Sequence, residues 1–145
     1  MRLRRLDMLN WCLHRNKSIE FGDVTLFRAP NGAGKTSIIN AIAYATLGIN
    51  RVPGNVTEHI TKGQKHSELS VEFTHAGNSL HVVRRLSSDS SAVEVEYAVN
   101  DDPMKNVKIR TLDSVLSQLF GVGRDFFDNH VIVAQDQLTS FLTDR

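Results

Sequence analysis

The stretch APNGAGKTS at residues 29–37 constrains the fold of this chain more than any other. It follows the pattern G-x-x-x-x-G-K-[ST], with Ala29 standing where the first glycine would be. After it, KTSIINAIAYATLG places Ile38, Ile39, Ile42, Ala45 and Leu47 at near-helical spacing, and Gly48 is a natural helix stop. Before it, DVTLFRA at 23–29 reads as a strand whose Val24, Leu26 and Phe27 suit burial. A glycine loop between a strand and a helix is the setting of a phosphate-binding loop, and it commits the chain to an α/β fold.

The chemistry follows from the charge of a triphosphate. Several negative charges within a few ångströms call for many inward N–H donors and no bulky Cβ atoms in the way. Gly32 and Gly34 supply the bend, and the backbone from Asn31 through Ala33 to Thr36 supplies the amides. The helix beginning near Lys35 aims its positive end at the same point. Lys35 reaches the β and γ phosphates, Thr36 offers a hydroxyl to Mg²⁺, and Ser37 adds a phosphate contact. Ala29 is tolerated if its φ stays negative, and Pro30 pushes it toward extended geometry.

The remaining pattern is mostly strand. Residues 2–9 and 18–21 read as strands, with a turn at Gly22–Asp23 leading into 23–29. The long connection from Gly48 to Gly63 is of the kind that carries function. Strands follow at 68–73, 79–86, 92–99 and 105–109, joined by polar turns, and their alternation predicts an antiparallel subsheet with one wet face. Thr111 is placed to cap a helix carrying Leu112, Val115, Leu116 and Leu119, ending near Gly121. Then come a helical turn at 124–129, an apolar strand at 130–135 and the start of a helix at 136–142.

At 145 residues, 41% hydrophobic and 23% charged, the chain has the size and core of one ordinary domain. No apolar run approaches the roughly 18 residues of a membrane span, so no membrane partner is expected. The single cysteine, Cys12, excludes an internal disulfide framework and fits a reducing compartment. A net charge of +1 gives no bulk signature of nucleic-acid binding. The local clusters Arg2/Arg4/Arg5, Lys62/Lys65 and Arg84/Arg85 read as solvated faces, and Trp11 as a core residue.

NGAGKTSIINAIAYATLG resembles the N-terminal phosphate loop of the SMC-like, ABC-type ATPases, and is most similar to the ATPase of the Mre–Rad repair complex (SbcC-type). The likeness extends to the opening MRLRRLDMLNW, to TKGQKHSELSVEFTHAGNSLHVVRRL, and to LFGVGRDFFDNHVIVAQDQLTSFL, which looks like the Q-loop segment. The wide separation of Lys35 from Gln135 also resembles the SMC and repair pattern, where transporter ATPases have a shorter one.

The resemblance implies that residues 1–145 are the N-terminal lobe of a split ATPase head. The head would bind ATP and Mg²⁺, with Lys35 and Gln135 catalytic and Thr36 and Gln135 at the metal. Asn31 would stand on the γ-phosphate side. It further implies a C-terminal lobe reached through a coiled coil, a second head engaged on ATP, DNA, a nuclease subunit, and an intracellular setting in cytoplasm, nucleoid or nucleus. No apolar run ends in Asp-Glu and no Ser-Gly-Gly signature is present, so the chain alone is expected not to turn over ATP. Related roles in chromosome organisation or anti-phage defence, or nucleotide binding without turnover, remain alternatives. In the family a basic residue often stands where this chain has Cys12, leaving His14 or Arg15 to substitute, and Lys62 and Lys65 border the nucleotide or DNA surface or a solvated loop.

Overall fold

Residues 1–48 and 54–121 are described by the structure, a computed structural model. Strands β1 (Arg2–Trp11) and β2 (His14–Glu20) form a hairpin closed by the tight turn at Cys12–Leu13. Helix α1 (Lys35–Leu47) follows the glycine loop, and a 3-10 turn (Val56–His59) leads to β3 (His66–His75), β4 (Asn78–Ser87), β5 (Ser90–Val99) and the two-residue β6 (Lys105–Asn106). Helix α2 (Ile109–Phe120) comes last. The strands make one antiparallel sheet in the order β2-β1-β3-β4-β5-β6.

The alternation in the sequence becomes the two faces of this sheet. Leu6 and Met8 of β1 lie beside Val71 and Leu69 of β3; Val71 and Phe73 lie beside Val82 and Leu80 of β4. All are buried and join Ile38, Ala41, Tyr44, Ala45 and Leu47 of α1 and Leu112 and Leu116 of α2 in one core. Each such Leu, Val or Phe contributes about 1.5–3 kcal/mol by leaving water. The opposite face is polar. There Arg85 bridges Glu68 on β3 (2.6 Å) and Glu96 on β5 (2.8 Å), a half-exposed pairing that adds little beyond register.

Four sequence expectations change. Residues 23–29 form no strand; Val24 is 91% and Leu26 86% exposed, and Phe27 packs edge-on against Phe21 at 6.1 Å. A strand exists through its partners, and no described strand lies alongside this segment. Arg84, expected on a solvated face, is 1% exposed: it opposes Leu69 and Val95 on the core face. Its guanidinium donates to the Ala45 carbonyl (2.8 Å) and the Thr46 carbonyl (3.1 Å), so the charge is held by the last turn of α1, where a cation is favoured. Thr111 lies inside the first turn of α2, donating to the Lys108 carbonyl, because Lys108 takes the N-cap position with no side-chain bond. The strand read at 105–109 shrinks to Lys105–Asn106, and Ile109 begins α2.

Strands β1 and β2 also run longer than expected, because the hairpin turns at Cys12–Leu13 and lets His14 and residues 16–20 pair back onto β1. The stop at Gly48 is as expected: it is left-handed at φ 68° and its N–H donates to the Tyr44 carbonyl. The predicted elements at 124–129, 130–135 and 136–142, with Gln135, lie outside the described residues. Among the described residues no helix is long and apolar enough to cross a membrane.

Candidate phosphate-binding site

Gly32 and Gly34 give the loop its shape. Both are left-handed, at φ 80° and 88°, a conformation that side chains with a Cβ resist. A Cβ at Gly32 would meet nothing within 4 Å, so its requirement is conformational and that side of the loop is open. A Cβ at Gly34 would lie 2.8 Å from Nε2 of His14, so Gly34 is required sterically as well. Ala29 does not join the positive-φ residues, and this is why the missing first glycine is harmless to the backbone.

Gly34 is also the N-cap of α1. It offers no side-chain cap, and no acidic residue stands in the first helical turn. The positive end of the helix is therefore uncompensated where the loop opens. Lys35 folds back over the loop, its ammonium donating to the carbonyls of Ala29 and Pro30. Asn31, Gly32, Ala33 and Thr36 are exposed along the rim, while Ser37 is half-buried and donates to the Gly34 carbonyl (3.0 Å).

Beneath the loop lies a buried support. Trp11 is fully buried at the end of β1; its indole N–H donates to the Ser37 carbonyl (3.0 Å) and its ring stacks on Tyr44 at 5.8 Å. Arg84 stands 5.9 Å over the other end of this system, on the Tyr44 ring, whose phenol pKa is raised by burial. His59 lies against Trp11 at 5.2 Å, its pKa lowered by burial. The turn and the segment after the 3-10 helix are tied together: Cys12 N–H donates to the His59 carbonyl, Thr61 N–H to the Asn10 carbonyl and Thr61 hydroxyl to the Cys12 carbonyl.

The other residues expected near the site, apart from Gln135, are placed as follows. Cys12 is a partly buried thiol, its pKa raised by burial against a smaller opposing hydrogen bond from Ser37, so it stands as a neutral group under the loop. His14 reaches the loop from behind, with Nε2 3.3 Å from the Gly34 carbonyl; Arg15 is exposed. Lys62 and Lys65 are exposed just beyond the Thr61 anchor, Lys65 facing Asp89 at 3.5 Å.

Tyr44, His59 and Arg84 were not anticipated from the sequence. Tyr44 is legible in hindsight on the 37–41–44 stripe of α1. Arg84 occupies an inward position of the alternation 80, 82, 84, 86. Nothing local points to His59.

The family model described as an AAA domain matches residues 5–145. The chain belongs to the AAA domain family. The DNA double-strand break repair Rad50 ATPase of Thermoplasma acidophilum is 31% identical to this AAA domain over 133 residues, covering 91% of it and 14% of the relative. The AAA domain chain thus spans about a seventh of that relative's length. Among solved structures, the SMC head domain from Thermotoga maritima superposes with a TM-score of 0.55 at 23% identity, covering 79% of this chain and 42% of that one. The recombination mediator RecF, solved with ATP, superposes with a TM-score of 0.61 at 15% identity, covering 73% and 27%. The fold is that of an SMC-like ATPase lobe, in agreement with the resemblance read from the glycine loop.

Proposed function

We propose that this AAA domain binds ATP with Mg²⁺ through residues 31–37, as the N-terminal lobe of an ATPase head. The head pairs with a second head, acts on DNA and works in double-strand break repair with a nuclease partner. The observation that carries the reading is the pair of left-handed glycines, Gly32 and Gly34, opening onto a helix N-terminus with Lys35 at its first position and no acidic residue in its first turn. The donor set fits the ligand: amides and an ammonium for phosphate, and the exposed Thr36 hydroxyl for a hard cation that takes oxygen ligands. Mg²⁺, when bound, neutralises phosphate charge.

The chain's own residues divide the remaining work. Asn31, Gly32 and Gly34 wrap the phosphates with backbone amides, Ala33 joins them when its N–H leaves the Pro30 carbonyl, Lys35 exchanges the Ala29 and Pro30 carbonyls for phosphate oxygens, and Ser37 braces the loop through the Gly34 carbonyl. Gln135 contributes the second metal or water contact.

Completion by another lobe is supported by an open groove of mixed character, with the Arg2–Asp23 ion pair (2.7 Å) on its wall, between α1 and the segment before the loop. Met1, Phe21, Phe27, Ile39 and Ile42 also line it, and Val24 and Leu26 stand exposed next to it. Turnover needs further charge-stabilising groups from that lobe.

The reading is tested by titrating ATP-Mg²⁺ into the chain and its Lys35→Ala variant in a calorimeter. Loss of about 100-fold in affinity is expected, the magnitude of a charge-assisted contact. Absent binding by the wild-type chain, or equal affinity of the two, would refute it.

A further inference from the structure

The peptide between Gly34 and Lys35 has a direction that matters. A planar trans peptide carries its C=O and its N–H on opposite sides. The Gly34 carbonyl is turned into the protein, where three groups converge on it: the Ile38 N–H (3.2 Å), the Ser37 hydroxyl (3.0 Å) and Nε2 of His14 (3.3 Å). The Lys35 N–H of the same peptide must therefore face away from His14, toward the open side of the loop.

Two of these three groups belong to α1 itself and follow the helix wherever it goes. His14 alone comes from another element. It begins β2 directly opposite Trp11, whose indole holds the Ser37 carbonyl, so its position is fixed by the hairpin. His14 is 9% exposed, and its ring sits where a Cβ on residue 34 would collide with it. His14 and Gly34 are thus a matched pair: the absent side chain of one makes room for the ring of the other.

We infer that His14 is a positioning residue for nucleotide binding. From behind the loop its Nε2–H donates to the Gly34 carbonyl and turns the Gly34–Lys35 peptide so that the Lys35 amide points at phosphate. The inference rests on reading the loop as a nucleotide site. The tautomer matters, since an Nε2 lone pair would repel the carbonyl that an Nε2–H holds. Because His14 acts on a phosphate-facing amide, its removal weakens every ligand that carries a phosphate chain, with or without a base.

The test uses three variants of the chain, titrated with ATP-Mg²⁺ and with inorganic pyrophosphate-Mg²⁺, alongside melting curves. His14→Phe keeps a ring without a donor, His14→Gln presents an amide N–H at similar reach, and His14→Asn presents one that falls short. Expected are losses of about tenfold for both ligands in His14→Phe and His14→Asn, the scale of one hydrogen bond, and recovery of most of the affinity in His14→Gln. The melting midpoint of His14→Asn should match that of His14→Gln. If His14→Phe does not fold, the contrast of Asn with Gln carries the test. Wild-type affinity in His14→Asn, or equal losses in Asn and Gln, would overturn the inference while leaving the nucleotide site standing. A wild-type chain that binds neither ligand would defeat the functional reading, and this inference with it.

Discussion

Residues 22–28 and residues 30–37 are neighbours of similar length with opposite fates. The first segment is the more apolar, yet Val24 and Leu26 stand in solvent and no described strand pairs with it. The second is rich in glycine and polar residues, yet its backbone is held by His14, Ser37 and Trp11 from beneath. Hydrophobicity alone does not order a segment; it needs a surface to bury against, and extended backbone needs partners for its N–H and C=O groups. The glycine loop has its partners within the same small sheet. The segment before it has no strand partner among the described residues, and of its apolar side chains Phe27 packs, on Phe21, while Val24 and Leu26 do not.

That contrast can be broken by removing the support of the ordered segment. Trp11→Ala opens a large cavity under α1 and frees the Ser37 carbonyl. A loss of about 3–5 kcal/mol in unfolding free energy is expected by chemical denaturation. A loss under about 1 kcal/mol would mean that the loop does not depend on its buried base. Arg84→Met tests the far end of the same helix. It leaves the Ala45 and Thr46 carbonyls without this donor, and about 2–3 kcal/mol should be lost, read from the same denaturation curves. A neutral or stabilised variant would show that a well-packed apolar side chain replaces the buried cation. Val24→Ser with Leu26→Ser probes the unpaired segment. Within the chain as it stands the change should stay within about 0.5 kcal/mol, since both side chains are already wet. A large destabilisation would show that the segment is buried in solution and would overturn the contrast.

The parts of the fold that were legible in the sequence are the local ones. The β3–β4 hairpin follows from strict alternation around a short polar turn, and α1 from its periodicity and the left-handed stop at Gly48. Strand pairing over a distance is not legible in a sequence, so the composition of 23–29 predicts a strand although no described strand lies alongside it. Arg84 departs from expectation for a related reason. Its alternation points inward and its charge outward, and what holds it is a helix end 38 and 39 residues away in sequence. In the candidate site, the glycines, Lys35 and Thr36 stand out because the motif is contiguous. His14, Trp11, Tyr44 and His59 gather beneath it only through the sheet, and Gln135 lies outside the described residues.

The central claim is that phosphate sits on the amides of this loop, and amide NMR reads those groups one by one. Titrating ATP-Mg²⁺ into the isotopically labelled chain should move the Gly32, Gly34, Lys35 and Thr36 amide signals most, with the polar face around Glu68 and Arg85 unmoved. Unchanged loop amides at saturating nucleotide, or shifts confined to another surface, would contradict it.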